Sequence, residues 1–419
     1  MKVLILSTKD TSGGAARAAY RLHKGLQDTN VESEMIVQTK FSNDNTVHAL
    51  ENQENRVFRR LRRASDKLAL KMYRYKKAEF STQWFPDRVF SEIERMNPEI
   101  INLHWVNRGF IKIETLSKIE KPIVWTLHDM WPFTGGCHYS QTCQKYESSC
   151  GDCPQLGSNK EIDLSRRIWH RKVSAWRDIN LTVVTPSQWL ASCAKASSLF
   201  NCSRVQVIPN GIDTEVYKPF EKKYARDLLG LPQNKQLLLF CSINARSAHR
   251  KGFHLLESAL KELRWAYPPK QLDLVIVGET CSRRTQNLFG FTVHSLGRIS
   301  SDSNLAAAYS SADAFVAPSL QDNLPNTVME ALACGTPSVA FNIGGMPDLI
   351  QHKINGFLAK PFNASEISSA ITWVLEDKDR HNFLSINARK LVEQQFTYKI
   401  QADRYQDLFE SLCSVERCA

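Results

Sequence analysis

The stretch Ala314–Phe341, AFVAPSLQDNLPNTVMEALACGTPSVAF, carries the pattern of a strand, a turn, a helix and a second strand. Its first four residues and its last four, Ser338–Phe341, are short apolar runs that each adjoin a proline. Between them, the segment from Pro325 to Cys334 has the length and composition of a helix. A helix that connects two apolar strands predicts that the strands are parallel and that helices cover the sheet.

The same alternation runs through most of the 419 residues. Each apolar run is bounded by Gly, Pro, Asn or Asp, and segments of helical length separate the runs, so the sequence predicts an α/β fold with parallel sheets. The other predicted strands are Val3–Ser7, Ser33–Val37, Ile100–His104, Ile123–Leu127, Thr182–Thr185, Leu237–Ser242 and Leu272–Val277.

The chain is long enough for two domains that each bury a core. A strand that ends near Val207 is followed by the turn-forming residues Pro209-Asn210-Gly211, which predicts a boundary there. We predict one domain over residues 1–208, a second over 209–395, and a terminal segment over 396–419. Within that segment, Tyr398–Cys413 has the pattern of an amphipathic helix.

Composition restricts the class of protein. Hydrophobic residues make up 42% and charged residues 23%, which is ordinary for a soluble globular chain. The net charge of +11 favours a polyanionic partner such as nucleotide phosphates, anionic lipid or nucleic acid. The first apolar run, Val3–Leu6, is shorter than the roughly 7–15 residues of an export signal. We therefore expect a cytoplasmic protein.

Ligands of open α/β sheets bind at the carboxyl ends of the strands, so we expect the functional residues on the loops that follow strands. After the first strand, Gly13 and Gly14 allow a tight turn and the close approach of an anion to a helix N-terminus. A plain strand-to-helix turn is the alternative. After Leu237–Ser242, three cations precede a helix and could bind a diphosphate; they are Arg246, Arg250 and Lys251. A solvated basic loop is the alternative there.

Two further loops carry titratable side chains. His128 and Asp129 directly follow the predicted strand Ile123–Leu127, and His104 ends the neighbouring strand. A histidine at a strand end can orient hydroxyls or exchange a proton, although a histidine satisfied within the core is the alternative. Asp322 and Glu330 could serve two polar parts of one ligand, such as a sugar ring and a ribose. The alternative is one helix cap and one surface carboxylate.

The order of residues in this region resembles the signature of the retaining family 4 glycosyltransferases. The matching segments are Pro318-Ser319, Asp322, Glu330-Ala331, Ala333-Cys334-Gly335-Thr336-Pro337, Pro209-Asn210-Gly211-Ile212-Asp213, Arg250-Lys251-Gly252 and Gly13-Gly14. The resemblance implies the GT-B fold: two facing Rossmann-like domains, a deep cleft between them, and a C-terminal helix that crosses back. The first domain would lie on the acceptor side, and the second would bind a nucleotide sugar.

The resemblance also implies a reaction, namely transfer of a hexose from a nucleotide diphosphate sugar to a glycan or a lipid-linked saccharide with retention of anomeric configuration. No metal or other cofactor would be required for this step. Glu330 would bind the ribose, and Lys251 with Arg246 or Arg250 would neutralise the departing diphosphate. The backbone N–H groups of Asn323 and Leu324 would contact the sugar and the phosphates. The side chains of His128 and Asp322 would position the sugar. The family usually has two glutamates eight positions apart, whereas the first is Asp322 here.

Two rival functions remain open at this point. A sugar-nucleotide epimerase can have the same fold, and a protein without catalytic activity can bind a nucleotide sugar.

Four cysteines are grouped within seventeen residues, and they are Cys137, Cys143, Cys150 and Cys153. Such spacing in a cytosolic chain fits a structural zinc site, free or redox-active thiols, or disulfides. The surrounding segments, His-Asp-Met-Trp, Thr-Gly-Gly-Cys-His-Tyr and Cys-Pro-Gln-Leu, resemble a subgroup of bacterial family 4 enzymes of exopolysaccharide and colanic-acid-type synthesis. A zinc site would shape the loop after His128 on the acceptor side.

The segment from Arg56 to Lys77 contains ten basic residues and an apolar stripe at helical spacing. Such a helix could lie on anionic lipid at the inner face of the plasma membrane, where a lipid-linked acceptor would be found. The alternative is a helix packed on its own domain. No known nucleic-acid-binding module accompanies the segment, so we do not expect nucleic acid as a partner.

Overall fold

A computed structural model of the chain describes residues 1–50, 68–74, 79–279 and 284–416. The chain divides into two compact units, the first formed by Met1–Gly211 with Tyr398–Ala419 and the second by Ile212–Thr397. In the described ranges each unit contains one sheet of seven strands. Both sheets are built mainly of parallel strands, which confirms the α/β fold class predicted from the sequence.

The sheet of the first unit is parallel throughout, in the order β3-β2-β1-β4-β5-β6-β7. Its strands are β1 (Lys2–Lys9), β2 (Glu32–Thr39), β3 (Val47–Ala49), β4 (Ile100–Leu103), β5 (Ile123–Thr126), β6 (Leu181–Thr185) and β7 (Arg204–Val207). The α-helices between them are α1 (Gly14–Asp28), α2 (Val89–Met96), α3 (Leu164–Trp176) and α4 (Gln188–Ala196). Short 3-10 turns cover Ala69–Met72, Ile113–Lys118, Trp131–Phe133 and Lys145–Glu147.

The second unit opens with α5 (Lys222–Leu229), and its sheet has the order β10-β11-β9-β8-β12-β13-β14. The strands are β8 (Gln236–Cys241), β9 (Leu272–Val277), β10 (Arg284–Leu288), β11 (Phe291–Gly297), β12 (Ala314–Ala317), β13 (Ser338–Phe341) and β14 (Gly356–Ala359). All pairings are parallel except that of β10 with β11. The helices are α6 (Phe253–Ala266), α7 (Asp302–Ser311), α8 (Asn326–Ala333), α9 (Met346–Leu349), α10 (Ala364–Leu375) and α11 (Lys378–Gln395).

The last helix, α12 (Tyr398–Glu416), returns to the first unit and packs on α1. Tyr405, Leu408 and Phe409 are at most 2% exposed and belong to the same apolar cluster as Val3 and Ile5 of β1. Burial of such side chains contributes about 1.5–3 kcal/mol each. The C-terminal helix predicted to cross back is therefore confirmed. In the described ranges, no helix combines the length and the apolar character needed to cross a bilayer.

Candidate functional site

In the second sheet the strand order reverses between β8 and β12. The loops that follow two such strands diverge to opposite sides of the sheet and leave a crevice at its carboxyl edge, where α/β proteins bind ligands. The loop after β8 carries Lys251, and the loop after β12 carries Asp322. Two residues predicted to act on one ligand therefore stand on the two loops that flank the reversal.

Lys251 and Asp322 are in direct contact. The Nζ of Lys251 donates a hydrogen bond to Asp322 Oδ2 at 2.5 Å, and the Ser319 hydroxyl donates to the same oxygen at 3.2 Å. The guanidinium of Arg250 lies 3.3 Å from Asp322 Oδ1 and donates to the backbone oxygen of Gln321 at 2.8 Å. Two cations and one carboxylate thus form a compact cluster.

Two glycines allow the loops to approach so closely. Gly252 has a φ of +73°, and a Cβ added to it would lie 1.7 Å from the backbone oxygen of Pro318. Gly344 has a φ of +53°, and a Cβ there would lie 2.0 Å from the backbone oxygen of Asp322. Any larger residue would push the loops apart, so the glycine that follows Lys251 is a steric requirement of the cluster.

The charges of the cluster stabilise each other. Burial alone would raise the pKa of Asp322, but Lys251 and Arg250 hold that pKa at about 2. Burial lowers the pKa of Lys251 from its ordinary value, and the attraction of Asp322 opposes that shift. Asp322 is 6% exposed, so its ionised form depends on the two cations beside it.

The other residues predicted for the donor are placed as follows. Asn323 and Leu324 are buried next to Asp322, and Glu330 is 2% exposed on α8. Glu330 Oε2 accepts a hydrogen bond from the hydroxyl of Tyr309 at 3.0 Å, a partner that sequence reasoning did not find. Arg246 points elsewhere, because its Nε lies 2.6 Å from a carboxylate oxygen of Glu279. Of the two candidate arginines, Arg250 is the one that joins Lys251.

The first sheet has its own reversal, between β1 and β4. The loop after β1 contains Gly13, which has a φ of +112° and caps the N-terminus of α1, the helix that begins at Gly14. His104 directly follows β4, and His128 lies two residues beyond the end of β5. The glycine pair and the two histidines therefore lie at the carboxyl edge of one sheet.

His128 and His104 are hydrogen-bonded to each other. Nε2 of His128 lies 2.8 Å from Nδ1 of His104, and Nε2 of His104 lies 2.9 Å from Oδ1 of Asn102. His128 is partly exposed, whereas His104 is 2% exposed. Burial lowers the pKa of His128 to about 4, and burial together with His128 lowers the pKa of His104 well below its ordinary value. Both rings are therefore neutral at pH 7.

Asp129 forms a second buried network with His138. Nδ1 of His138 lies 2.6 Å from Asp129 Oδ2, which also accepts a hydrogen bond from the indole of Trp105 at 2.7 Å. Although burial opposes the charged imidazole, Asp129 raises the pKa of His138. The other ring nitrogen of His138 lies 2.9 Å from the Ser81 hydroxyl. In the sequence His138 is marked only by its position beside Cys137.

Comparison with known proteins assigns the two halves of the chain to glycosyltransferases. Residues 12–216 match the family model described as Glycosyltransferase Family 4, and residues 224–391 match the model described as Glycosyl transferases group 1. The two matches together span most of both units.

The chain belongs to glycosyltransferase family 4.

Two curated relatives of this family 4 chain have names that refer to colanic acid and to lipopolysaccharide. WcaC of Escherichia coli, assigned to colanic acid biosynthesis as a glycosyl transferase, is 24% identical over 84% of this chain and 85% of its own length. The lipopolysaccharide 1,2-N-acetylglucosaminetransferase of Salmonella typhimurium is 26% identical over 55% of this chain and 62% of its own length. This chain thus covers less than two thirds of the Salmonella enzyme.

Solved structures establish the fold of this family 4 chain. Sucrose-phosphate synthase from Thermosynechococcus elongatus superposes with a TM-score of 0.71 at 18% identity, over 99% of this chain and 100% of that one. HepE of Anabaena, solved in complex with UDP, has a TM-score of 0.62 at 19% identity, over 98% and 100% of the two chains. The fold is GT-B, with two Rossmann-like domains, as the sequence predicted.

The four grouped cysteines lie together in the first unit and line a cavity of about 20 Å³. All four are free thiols. Burial raises the pKa of the Cys150 thiol to about 11 and also raises the pKa values of Cys137 and Cys153. In the absence of a metal ion, burial therefore favours the neutral thiol. In the ranges that the structure describes, no three His, Cys, Asp or Glu side chains are arranged to hold a metal ion. The zinc site predicted at Cys137, Cys143, Cys150 and Cys153 is not supported.

A buried lysine lies beside the cysteines. Lys172 on α3 is fully buried, and its Nζ donates to the backbone oxygens of Trp131 and Thr134. Burial lowers its pKa well below the ordinary value. In the sequence, Lys172 stands among the other basic residues of α3.

Most of the basic segment Arg56–Lys77 lies outside the described residues.

Proposed function

We propose that this family 4 protein transfers a hexose from a nucleotide diphosphate sugar to a hydroxyl of a glycan or a lipid-linked saccharide, with retention of configuration. The bond between the anomeric carbon and the phosphate oxygen breaks, and the nucleoside diphosphate leaves. A new bond forms between the same carbon and the acceptor oxygen, whose proton is released. The product would belong to an exopolysaccharide or another cell-surface polysaccharide.

The observation that carries this proposal is the cluster of Lys251, Arg250 and Asp322 at the reversal of strand order. The diphosphate gains negative charge as the sugar departs, and preorganised cations stabilise that charge without a metal ion. An arriving diphosphate competes with Asp322 for Lys251. The carboxylate oxygen of Asp322 that is thereby released can accept a hydrogen bond from a sugar hydroxyl. Lys251 would then bind the diphosphate of the donor, and Asp322 would bind its sugar.

The neighbouring helix supplies the nucleotide end of the proposed site. Glu330 is a buried carboxylate whose Oε2 accepts from Tyr309, and a carboxylate can accept from both hydroxyls of a ribose. The backbone N–H groups of Asn323 and Leu324 precede α8, where the helix dipole favours anionic groups. The UDP bound to Anabaena HepE and the polysaccharide role of WcaC support a nucleotide sugar donor and a glycan acceptor.

A panel of nucleotide sugars tests the proposal. The full chain is incubated with UDP-, GDP-, ADP- and dTDP-hexoses, and its thermal unfolding is followed with and without EDTA. We expect one donor to raise the midpoint temperature of unfolding, both with and without EDTA. That donor, supplied radiolabelled with lipid-linked saccharides, should pass its label to a larger product in which NMR shows the anomeric configuration of the donor.

Other outcomes select other functions. An isomerised donor without a larger product would identify an epimerase. Donor binding without transfer or hydrolysis would identify a protein that binds nucleotide sugar but does not catalyse. If no donor stabilises the chain, the proposed donor site is wrong.

A lipid-linked acceptor also requires access to a membrane surface. We propose that the basic segment Arg56–Lys77 contacts anionic lipid on the cytoplasmic side. At the end of this segment, Leu68 and Met72 are 64% and 80% exposed and Lys71 is exposed. Flotation with vesicles should show binding to phosphatidylglycerol but not to phosphatidylcholine, and binding should weaken as salt is raised. Equal binding to both vesicles would contradict the proposal.

A further inference from the structure

Three side chains at the carboxyl edge of the first sheet form one hydrogen-bonded chain, Asn102 to His104 to His128. We propose that Asn102 and His104 are positioning residues, which hold His128 as a neutral imidazole with its proton on Nε2. This inference deepens the proposed function, because it defines how His128 would meet the transferred sugar. It rests on which atoms of these three side chains donate a hydrogen bond and which accept one.

The orientation of the Asn102 amide is fixed by two acceptors. Its Nδ2 donates to the backbone oxygen of Val124 at 3.0 Å and to the hydroxyl oxygen of Thr126 at 3.0 Å. A backbone carbonyl can only accept, so the amide nitrogen must face Val124 and the amide oxygen must face the other way. Asn102 is fully buried, and no rotation is available that keeps these two bonds.

The oxygen of Asn102 in turn fixes the tautomer of His104. An amide oxygen can only accept, so Nε2 of His104, at 2.9 Å, must carry the proton. Burial and the neighbouring ring lower the pKa of His104 well below its ordinary value, so the ring holds a single proton. Nδ1 of His104 is therefore an acceptor.

His128 completes the chain. Its Nε2 lies 2.8 Å from the acceptor Nδ1 of His104 and must donate the proton between them. Because the pKa of His128 is lowered to about 4 by burial, its Nδ1 carries no proton at pH 7 and can only accept. In this tautomer, the partly exposed His128 ring presents Nδ1 as an acceptor and not as a donor. Without the two residues behind it, either tautomer would be available.

The tautomer can be measured directly by ¹⁵N NMR of the full chain labelled at histidine. The signals of His128 are assigned by their loss in His128→Gln. We expect the spectrum of a neutral ring protonated at Nε2. In Asn102→Asp, the new carboxylate favours a charged His104 whose Nδ1–H donates, and the proton of His128 should move to Nδ1. A spectrum of mixed tautomers in the unmodified chain would overturn the proposal.

Two variants of His104 separate positioning from packing. In His104→Gln the side-chain oxygen can accept from His128 while the amide nitrogen donates to Asn102, so the tautomer should persist. His104→Leu fills the space without either bond. We expect His104→Leu to lower kcat by about 100-fold with little change in the donor KM, and His104→Gln to restore it to within about 3-fold, since loss of orientation acts on the reacting geometry.

His23→Gln is the matched control, because His23 is also a fully buried histidine of the first unit, with hydrogen bonds to Ser33 and Thr46. It should leave kcat unchanged. Equal activities of His104→Leu and His104→Gln would overturn the proposal. If the unmodified chain transfers no sugar at all, the proposed function fails, and the NMR measurement still decides whether the tautomer is held.

Discussion

The hydroxyl of Tyr405 in α12 lies 2.8 Å from the hydroxyl of Thr126 at the end of β5, although the two residues are 279 positions apart. The same Thr126 oxygen accepts a hydrogen bond from Asn102 at 3.0 Å. The C-terminal helix is therefore bonded to the side chains that lead to His128. In the first unit, the position of α12 and the environment of His128 are linked through buried hydroxyls.

Removing the Tyr405 hydroxyl should destabilise the first unit modestly. Tyr405→Phe loses one buried hydrogen bond but leaves Thr126 bonded to Asn102, so we expect a cost of about 1 kcal/mol. Thr126→Val removes both bonds and leaves the Tyr405 hydroxyl unsatisfied, so we expect about 2–3 kcal/mol. Urea unfolding measures both free energies. Additive costs in the double variant would show that the two hydroxyls do not interact.

The strands that the sequence predicted well are buried on both faces. β9, β12 and β13 match the predicted ranges residue for residue, because each is a short apolar run that ends at turn-forming residues. By contrast, β11 alternates between buried and half-buried residues and pairs with the antiparallel β10, and the segment contains no continuous apolar run. β3 and β14 lie at the two sheet edges, and β3, with three residues, is too short for a clear period.

The site residues were predictable as types but not as partners. Lys251 and Asp322 each follow a strand, which is visible in the sequence, but their contact depends on β8 and β12 being neighbours. Arg246 and Arg250 are equivalent in the sequence for the same reason, whereas in the structure Arg246 pairs with Glu279, two residues after the end of β9. Contacts across about 70 positions are set by strand order, which local patterns do not contain.

Alanine at Gly252 should disrupt the cluster more than alanine at another left-handed glycine. Gly230 has a φ of +68° and open space around its Cβ position, so Gly230→Ala should cost only the backbone strain of about 1–2 kcal/mol. Gly252→Ala adds the clash with Pro318, which should cost a further 1–3 kcal/mol or so. Urea unfolding compares the two. Gly252→Ala should also lose the stabilisation by donor, and equal costs would contradict the close approach of the loops.

Loss of the Lys251 ammonium should lower activity much more than it lowers stability. We expect Lys251→Ala to reduce kcat/KM for the donor by about 100–1,000-fold, since a preorganised charge opposite the leaving group is removed. Lys235→Ala is the control, because Lys235 forms a similar ion pair with Asp273 at 2.8 Å in the same unit. Steady-state kinetics with the donor that the panel identifies would measure both. Comparable losses would show that any ion pair of this unit matters equally.

His23 predicts how the free energy of unfolding depends on pH. Burial lowers its pKa from 6.5 to about 4, so the unfolded chain binds a proton at a higher pH than the folded chain. The stabilisation is complete above pH 6.5 and is lost as the pH falls toward 4, with a slope of at most about 1.4 kcal/mol per pH unit for one proton. His23→Gln should flatten the curve by that slope. At pH 8, the difference in the free energy of unfolding between the two proteins measures the contribution of the His23 hydrogen bonds. An unchanged slope in His23→Gln would contradict the lowered pKa of His23.

Three of the four grouped cysteines should react as buried thiols, since Cys143 is half-buried. Cys202 is exposed and should react at once with an aromatic disulfide reagent, whereas Cys137, Cys150 and Cys153, each at most 9% exposed, should react only when the chain unfolds. Burial acts twice, since it blocks access and raises the thiol pKa, which reduces the reactive thiolate. Thiol titration at neutral pH, before and after adding guanidinium, counts both classes.

The same samples decide between buried thiols and bound metal. Buried thiols predict that unfolding exposes the slow groups, among which Cys334 is a fourth buried thiol, and releases no metal, so a zinc-sensitive dye should stay unchanged. In a Cys202→Ser variant, the immediate reaction should decrease by one thiol, while the slow reaction should stay unchanged. Release of one zinc ion per chain together with the slow thiols would contradict the described arrangement, because a thiolate ligand set would then keep its charge through the metal rather than lose it through burial.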